Sequence, residues 1–207
     1  MSQAVLEQTS TRDRIVTAAR ELFWVQGYEA TSIAEIVEKA GVNPGSVYYF
    51  FKSKESLLLA VLDWYLANLG EVMDPVFSTV RDPIERVFGI LGGYRMGLTY
   101  TACTGGCPIG NLSIEIGDHI PAAREKLARN FENWRLAVRG CLEDAGERLP
   151  ASVNRDQLAT FILTVMEGAI MQARARGSLE PFDASVAQLR AYFDALMANV
   201  ETARSNN

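Results

Sequence analysis

Between Thr31 and Lys54 the chain sets two helix starts and a glycine stop within one short run, TSIAEIVEKAGVNPGSVYYFFKSK. So little room admits two short helices and a tight turn. Thr31 or Ser32 can cap the first helix, and Ser32 with Glu35 has capping-box spacing. Ile33, Ile36 and Val37 share one helical face, with Glu35, Glu38 and Lys39 opposite. Gly41 stops this helix, as a glycine past the last periodic residue does. Val42 is the apolar residue of the turn. Asn43 caps the second helix, whose first position suits Pro44 because no intrahelical donor is needed there. Gly45 and Ser46 keep its start slim. Val47 and Phe51 can point inward while Ser46, Tyr48, Tyr49 and Lys52 stay partly outside. A slim, polar helix start with a positive dipole end is what entry into a DNA major groove requires.

The segment resembles the helix-turn-helix of the TetR family of transcriptional repressors, over roughly residues 12–60. The markers are AARELF in the first helix, Gly27-Tyr28, Thr31-Ser32-Ile33, Ile36, Ala40-Gly41-Val42, Gly45, Tyr48-Tyr49, Phe51-Lys52 and Lys54-Glu55-Ser56-Leu57-Leu58. The resemblance implies that Ser46 and Tyr48 approach bases and that Tyr49 and Lys54 hold phosphates. Thr31, Ser32 and Asn43 would add phosphate contacts, with Gly45 and Lys52 completing the DNA-binding set. Relatives often carry His where this chain has Phe50, so that phosphate contact is not implied here. With no Arg or Gln on the second helix for a bidentate base contact, shape readout and thymine-methyl contacts would carry much of the specificity.

Charge argues the other way at first. The formal net charge is −5, and residues 1–60 hold six Lys/Arg against seven Asp/Glu. Distribution decides: from Asn43 to Lys54 there are two lysines and no acid. A small positive surface can hold phosphates on an acidic whole, with modest non-specific affinity.

Helical periodicity continues along the chain. A first helix is expected from about Thr11 to Gln26, and Ser53 caps a longer one from Lys54 to about Met73 that leaves the small domain. Asp74-Pro75 is read as a break. Asp82-Pro83-Ile84-Glu85 opens the next helix, which Gly92-Gly93 weakens midway. A short helix follows Pro108, a long one spans Ala122 to Leu149, and two more cover Arg155–Arg176 and Asp183–Thr202. No strand-like alternation occurs. The expectation is an all-α fold of about nine helices in two domains, a helix-turn-helix unit over 11–55 and a ligand-binding and dimerisation domain over 56–203.

The resemblance places an inducer pocket in the second domain. Candidates are Trp64, Phe88, Tyr94, Tyr100, Asn111 and Glu115, with Phe131, Trp134, Phe161 and Met166, an aromatic and methionine set with few polar groups. Each taken singly is also an ordinary core residue. Cys107 joins them. With Pro108 at the first helical position, Cys107 stands at a cap where free N–H groups favour a thiolate, and Cys103 could resolve it. The alternative is a small apolar side chain inert in packing. Two copies would pair through the last two helices. Gly168, Ala169 and Ala173 would allow close approach on one side, and a Val186/Leu189/Phe193/Leu196/Val200 seam would cover the other. The partners are then a double-stranded, pseudo-palindromic operator, a second copy of the chain and an unknown small-molecule inducer.

Other classes fit less well. His119 is the single histidine, and Cys103, Cys107 and Cys141 lack zinc-ligand spacing. No phosphate loop or nucleophile elbow occurs, so neither a cofactor nor a metal is expected and the chain reads as no enzyme. No apolar run spans a bilayer, no signal segment opens the sequence, and the odd cysteine count suits a reducing cytoplasm. The alternatives are a helical small-molecule carrier or a thiol-dependent enzyme without DNA function.

Overall fold

Ten α-helices and one 3-10 turn, with no strand, make up residues 10–116 and 118–205, which the computed structural model describes. The first three build the head. In α1 (Thr11–Gln26) the Ser10 side chain caps the start, and Ile15, Val16, Ala18, Ala19 and Phe23 are buried. α2 (Ile33–Ala40) opens on the Ser32–Glu35 capping box and closes on Gly41 in the left-handed conformation. α3 (Pro44–Phe50) follows, and Val47 and Phe51 seal the three-helix core. Arg14 of α1 donates to the carbonyls of Ala40 and Gly41 at 2.6 and 2.7 Å, satisfying the open end of α2.

α4 (Lys54–Ala67) joins head to body. Leu57, Leu58, Val61 and Leu62 are wholly buried because the helix packs on α1 at one side and on α8 (Pro121–Asp144) at the other. Asn130 of α8 is buried and donates to the carbonyl of Leu62 at 3.3 Å, fixing that contact. The expected single helix to Met73 is corrected. Asn68 ends α4 by donating its backbone N–H and side-chain amide to the Trp64 carbonyl. A separate α5 (Leu69–Thr79) begins there and runs through Pro75, the expected break.

α6 (Pro83–Tyr100) starts on the Asp82 cap and continues as one helix through Gly92-Gly93. Gly89 is the glycine with a packing duty. A Cβ there would lie 2.6 Å from Val76, so only glycine lets α5 and α6 approach this closely. α7 (Pro108–Ile116), the 3-10 turn Gly146–Arg148, α9 (Arg155–Arg176) and α10 (Glu180–Ser205) complete the chain.

α9 and α10 pack as a pair, but the expected seam is corrected. Leu189 and Phe193 are buried within the chain itself, and Phe193 meets the Phe88 ring edge-on at 5.5 Å. Val186 and Leu196 pack beside them, and Ala169 and Ala173 are likewise buried. Arg190 lies flat over Phe88 at 3.6 Å and grips Glu85 with two hydrogen bonds, while Arg95 grips Asp183 in the same manner. These contacts hold α10 to α6. The opposite face of the pair leaves Phe161, Met171 and Tyr192 exposed. Phe193→Ala should therefore cost about 3–5 kcal/mol of folding stability, as deletion of a buried aromatic does. Chemical denaturation checks it, and a loss below about 1 kcal/mol would contradict the interior placement.

Candidate nucleic-acid interface and apolar cavity

The head exposes its aromatic side chains at α3. Tyr48 and Tyr49 are 59% and 82% exposed, so neither packs the three-helix core. Phe50 is also exposed and meets the Tyr49 ring edge-on at 4.9 Å. Gly45 stands in open space, with no protein atom within 4 Å of where a Cβ would lie. Nothing inside the chain requires a glycine there. Ser46 is half-buried and Lys52 exposed on the same short helix and its exit.

The remaining head candidates are more constrained. Thr31 is corrected. It is buried, its hydroxyl donates to the Gly27 carbonyl at 2.6 Å and its N–H to Tyr28, so neither is available to a phosphate. The Ser32 hydroxyl is committed to the Glu35 capping box. Asn43 stands at the cap of α3, but its side chain makes no capping bond. Lys54 sits 4.3 Å over the Tyr28 ring and donates to the Glu29 carbonyl at 3.3 Å. Some acids of the head are occupied: Glu35 at its cap, where the Ser32 N–H lowers its pKa, and Glu21 on Lys39 at 2.9 Å. That leaves Lys52 and Lys54 without an ion-pair partner among the described residues.

Behind the head lies a cavity of about 320 Å³. α1 contributes Trp24, α4 contributes Tyr65, and α5 contributes Met73 and Val76. Along α6 the lining comprises Gly89, Gly93 and Gly97 at one-turn spacing, with Ile90, Tyr94 and the exposed Met96. The start of α7 adds Cys107 and Ile109, α8 adds Trp134 and α9 adds Ile170. Of the residues expected at an inducer pocket, the cavity brings together Tyr94, Cys107 and Trp134, the first and last with rings 5.4 Å apart.

The other eight lie elsewhere. Trp64 is half-buried under the Arg20 guanidinium at 3.7 Å, and Phe88 belongs to the α6–α10 contact. Tyr100 is 87% exposed at the end of α6. Asn111 accepts from Arg174 at 2.9 Å. Phe131 and Met166 are packed in the core, and Phe161 is at the surface beside Tyr192. Glu115 is a clamp, accepting the N–H of Tyr28 at 2.9 Å and of Glu29 at 2.7 Å. Sequence reasoning missed Trp24, Tyr65 and the α6 glycines. The i, i+4, i+8 spacing of Gly89, Gly93 and Gly97 was the available signal for a hollow beside α6.

Two profiles match the chain: bacterial regulatory proteins of the tetR family over residues 15–61, and the tetracyclin repressor-like C-terminal domain over residues 83–189. The chain belongs to the TetR family. It is a ligand-responsive transcriptional regulator of the helix-turn-helix type, in a family that binds DNA as homodimers. It is similar to the HTH-type transcriptional repressor DhaR of Mycobacterium sp. (strain GP1), 29% identical with 95% of this chain and 97% of that protein covered. A TetR transcriptional regulator from Chloroflexus aurantiacus is 30% identical with a TM-score of 0.77, covering 89% of this chain and 94% of the other. The regulatory protein TetR from Rhodobacter sphaeroides shares the fold at a TM-score of 0.79 and 24% identity, over 86% and 96% of the two chains. Among the described residues of this TetR-family chain, no helix is long and apolar enough to cross a membrane, and no acid, cysteine and histidine cluster could hold a metal.

Cys107 is corrected as a thiolate. It is buried at the cavity wall, and burial first, then the nearby Glu167 carboxylate, push its pKa far above the ordinary thiol value. The Gly110 N–H at 3.4 Å acts in the opposite sense but does not prevail. A thiol with a raised pKa stays protonated at neutral pH, and the thiolate is the nucleophile. Iodoacetamide at pH 7.5 should therefore modify Cys107 at least about tenfold more slowly than a free cysteine peptide. Mass spectrometry of the labelled protein checks this, and labelling at the peptide's rate would restore the activated reading.

Proposed function

We propose that this regulator is a repressor that binds a pseudo-palindromic operator as a homodimer and is released when a small molecule fills the cavity behind the head. The observation that carries the release mechanism is that α1, the first helix of the head, supplies part of the cavity wall. The Trp24 indole donates to the Gly106 carbonyl at 2.7 Å, and Glu115 at the far end of α7 holds the amides that follow α1. A ligand that favours one setting of α7 over another changes the position of the head, provided its affinity differs between the two settings. Ser46, Tyr48 and Phe50 would face base edges and thymine methyls, with Tyr49, Lys52 and Lys54 toward phosphates. The exposed face of Phe161, Met171 and Tyr192 supports pairing of two copies through α9 and α10. The head then corresponds to residues 11–55 and the ligand-binding and dimerisation domain to 56–203, working in the cytoplasm.

Selection from random duplex DNA should return an inverted repeat whose half-sites lie about one helical turn apart. Tyr192→Glu should yield monomers in sedimentation and weaken operator binding, since a buried unpaired charge is costly. A dimer that persists in this variant would put the interface on another face.

The clamp has its own test. Glu115→Ala leaves the N–H groups of Tyr28 and Glu29 without their acceptor and should cost about 1–3 kcal/mol of stability. Ligand binding to the cavity should persist while operator release by that ligand falls several-fold. Release equal to the parent's would remove α7 from the path.

A further inference from the structure

The cavity's chemistry identifies the class of molecule it accepts, on the reading that it is the inducer site. Its described lining carries no charged side chain. Arg20 lies on the Trp64 ring, and Glu167 stands behind Cys107 against Gly110, its buried Oε1 without a hydrogen-bond partner among the described residues. An anion would therefore enter without a counter-charge and near the Glu167 carboxylate, which burial makes costly.

Its walls are bare backbone and aromatic rings. On α6, Cβ atoms at Gly93 and Gly97 would meet no protein atom within 4 Å, so this side of the cavity is bare backbone. The rings of Trp24, Tyr65, Tyr94 and Trp134 also line it, Tyr94 from α6 itself. Bare backbone and aromatic walls accept a planar ring by stacking. The volume is at the small end for ligand sites, enough for two fused rings and a substituent.

Its polar groups are few. The Trp24 N–H is already spent on Gly106. The Tyr65 hydroxyl has no hydrogen-bond partner among the described residues, and the Tyr94 hydroxyl has only the Cys107 sulfur at 3.9 Å. Burial raises the pKa of both phenols, so each keeps its proton and can donate. We infer that the ligand is a planar, ring-bearing molecule without negative charge and with one hydrogen-bond-accepting oxygen, its ring beside Gly93 and Gly97 and its oxygen taking the hydroxyls of Tyr65 and Tyr94.

Three probes of nearly equal size separate these features: 2-acetylnaphthalene, naphthalene and 2-naphthoate. Calorimetry on the full-length protein without DNA should show the ketone binding about tenfold tighter than naphthalene and at least about a hundredfold tighter than the carboxylate. The Tyr65→Phe/Tyr94→Phe variant, which loses two hydroxyls and no carbon, should erase the ketone's advantage over naphthalene. Naphthoate binding as tightly as the ketone, an advantage that survives the double variant, or no binding by any probe would each overturn the inference. Operator release is scored separately by fluorescence anisotropy of labelled DNA. The expected binding order with the operator still held would keep the ligand class and reject the cavity as the inducer site. Release by naphthoate alone would do the reverse.

Discussion

The amides of Tyr28 and Glu29, just past the end of α1, take the carboxylate of Glu115 as their acceptor, 87 and 86 positions away. This is the one bond pair on which the relation of head to body rests most directly. A carboxylate shared between two N–H groups is a strong, charge-assisted contact. It is possible because Gly27 has no side chain: a Cβ there would sit 3.0 Å from both carboxylate oxygens, and its φ of 90° already excludes most other residues. The glycine, the acid and the two amides form one joint. Trp24 on Gly106 forms a second at the other end of α7, so this nine-residue helix is pinned to α1 at both ends.

A helix pinned in this way transmits displacement rather than absorbing it. The α6–α7 connection offers the complementary softness. Ala102 and Cys103 both have positive φ, which non-glycine residues adopt at a cost. The Cys103 N–H reaching back to Leu98 at 2.7 Å partly offsets that cost. In the proposed release, a rod pinned to the head and a strained elbow on the other side would direct a change at the cavity toward α1.

The head was legible from sequence because its determinants are local. Capping box, glycine stop and proline start each act within four residues, and the structure has all three. The body was legible only as helices. Whether Phe193 faces its own core or a second copy depends on which side of α10 meets α6, and periodicity gives the stripe without its partner. The same blindness misplaced Glu115. A lone acid on an apolar helix resembles a ligand contact until the far amides of Tyr28 and Glu29 are known. Trp24 was hidden for the matching reason, since it lies 82 positions from its acceptor and on a helix placed in the helix-turn-helix unit.

Cys107 shows how burial can reverse a local rule. The start of α7 does present an N–H to the sulfur, as its sequence suggested. A helix end stabilises an anion by a fraction of a charge, whereas taking the thiolate out of water costs more and Glu167 adds repulsion. The position is thus better suited to fill an apolar wall than to attack. That conclusion is consistent with the rest of the cavity, whose described lining carries no charged side chain. On the proposed reading, such a site would distinguish its ligand by its aromatic walls and by one oxygen, and would disfavour anionic analogues by leaving them without a counter-charge.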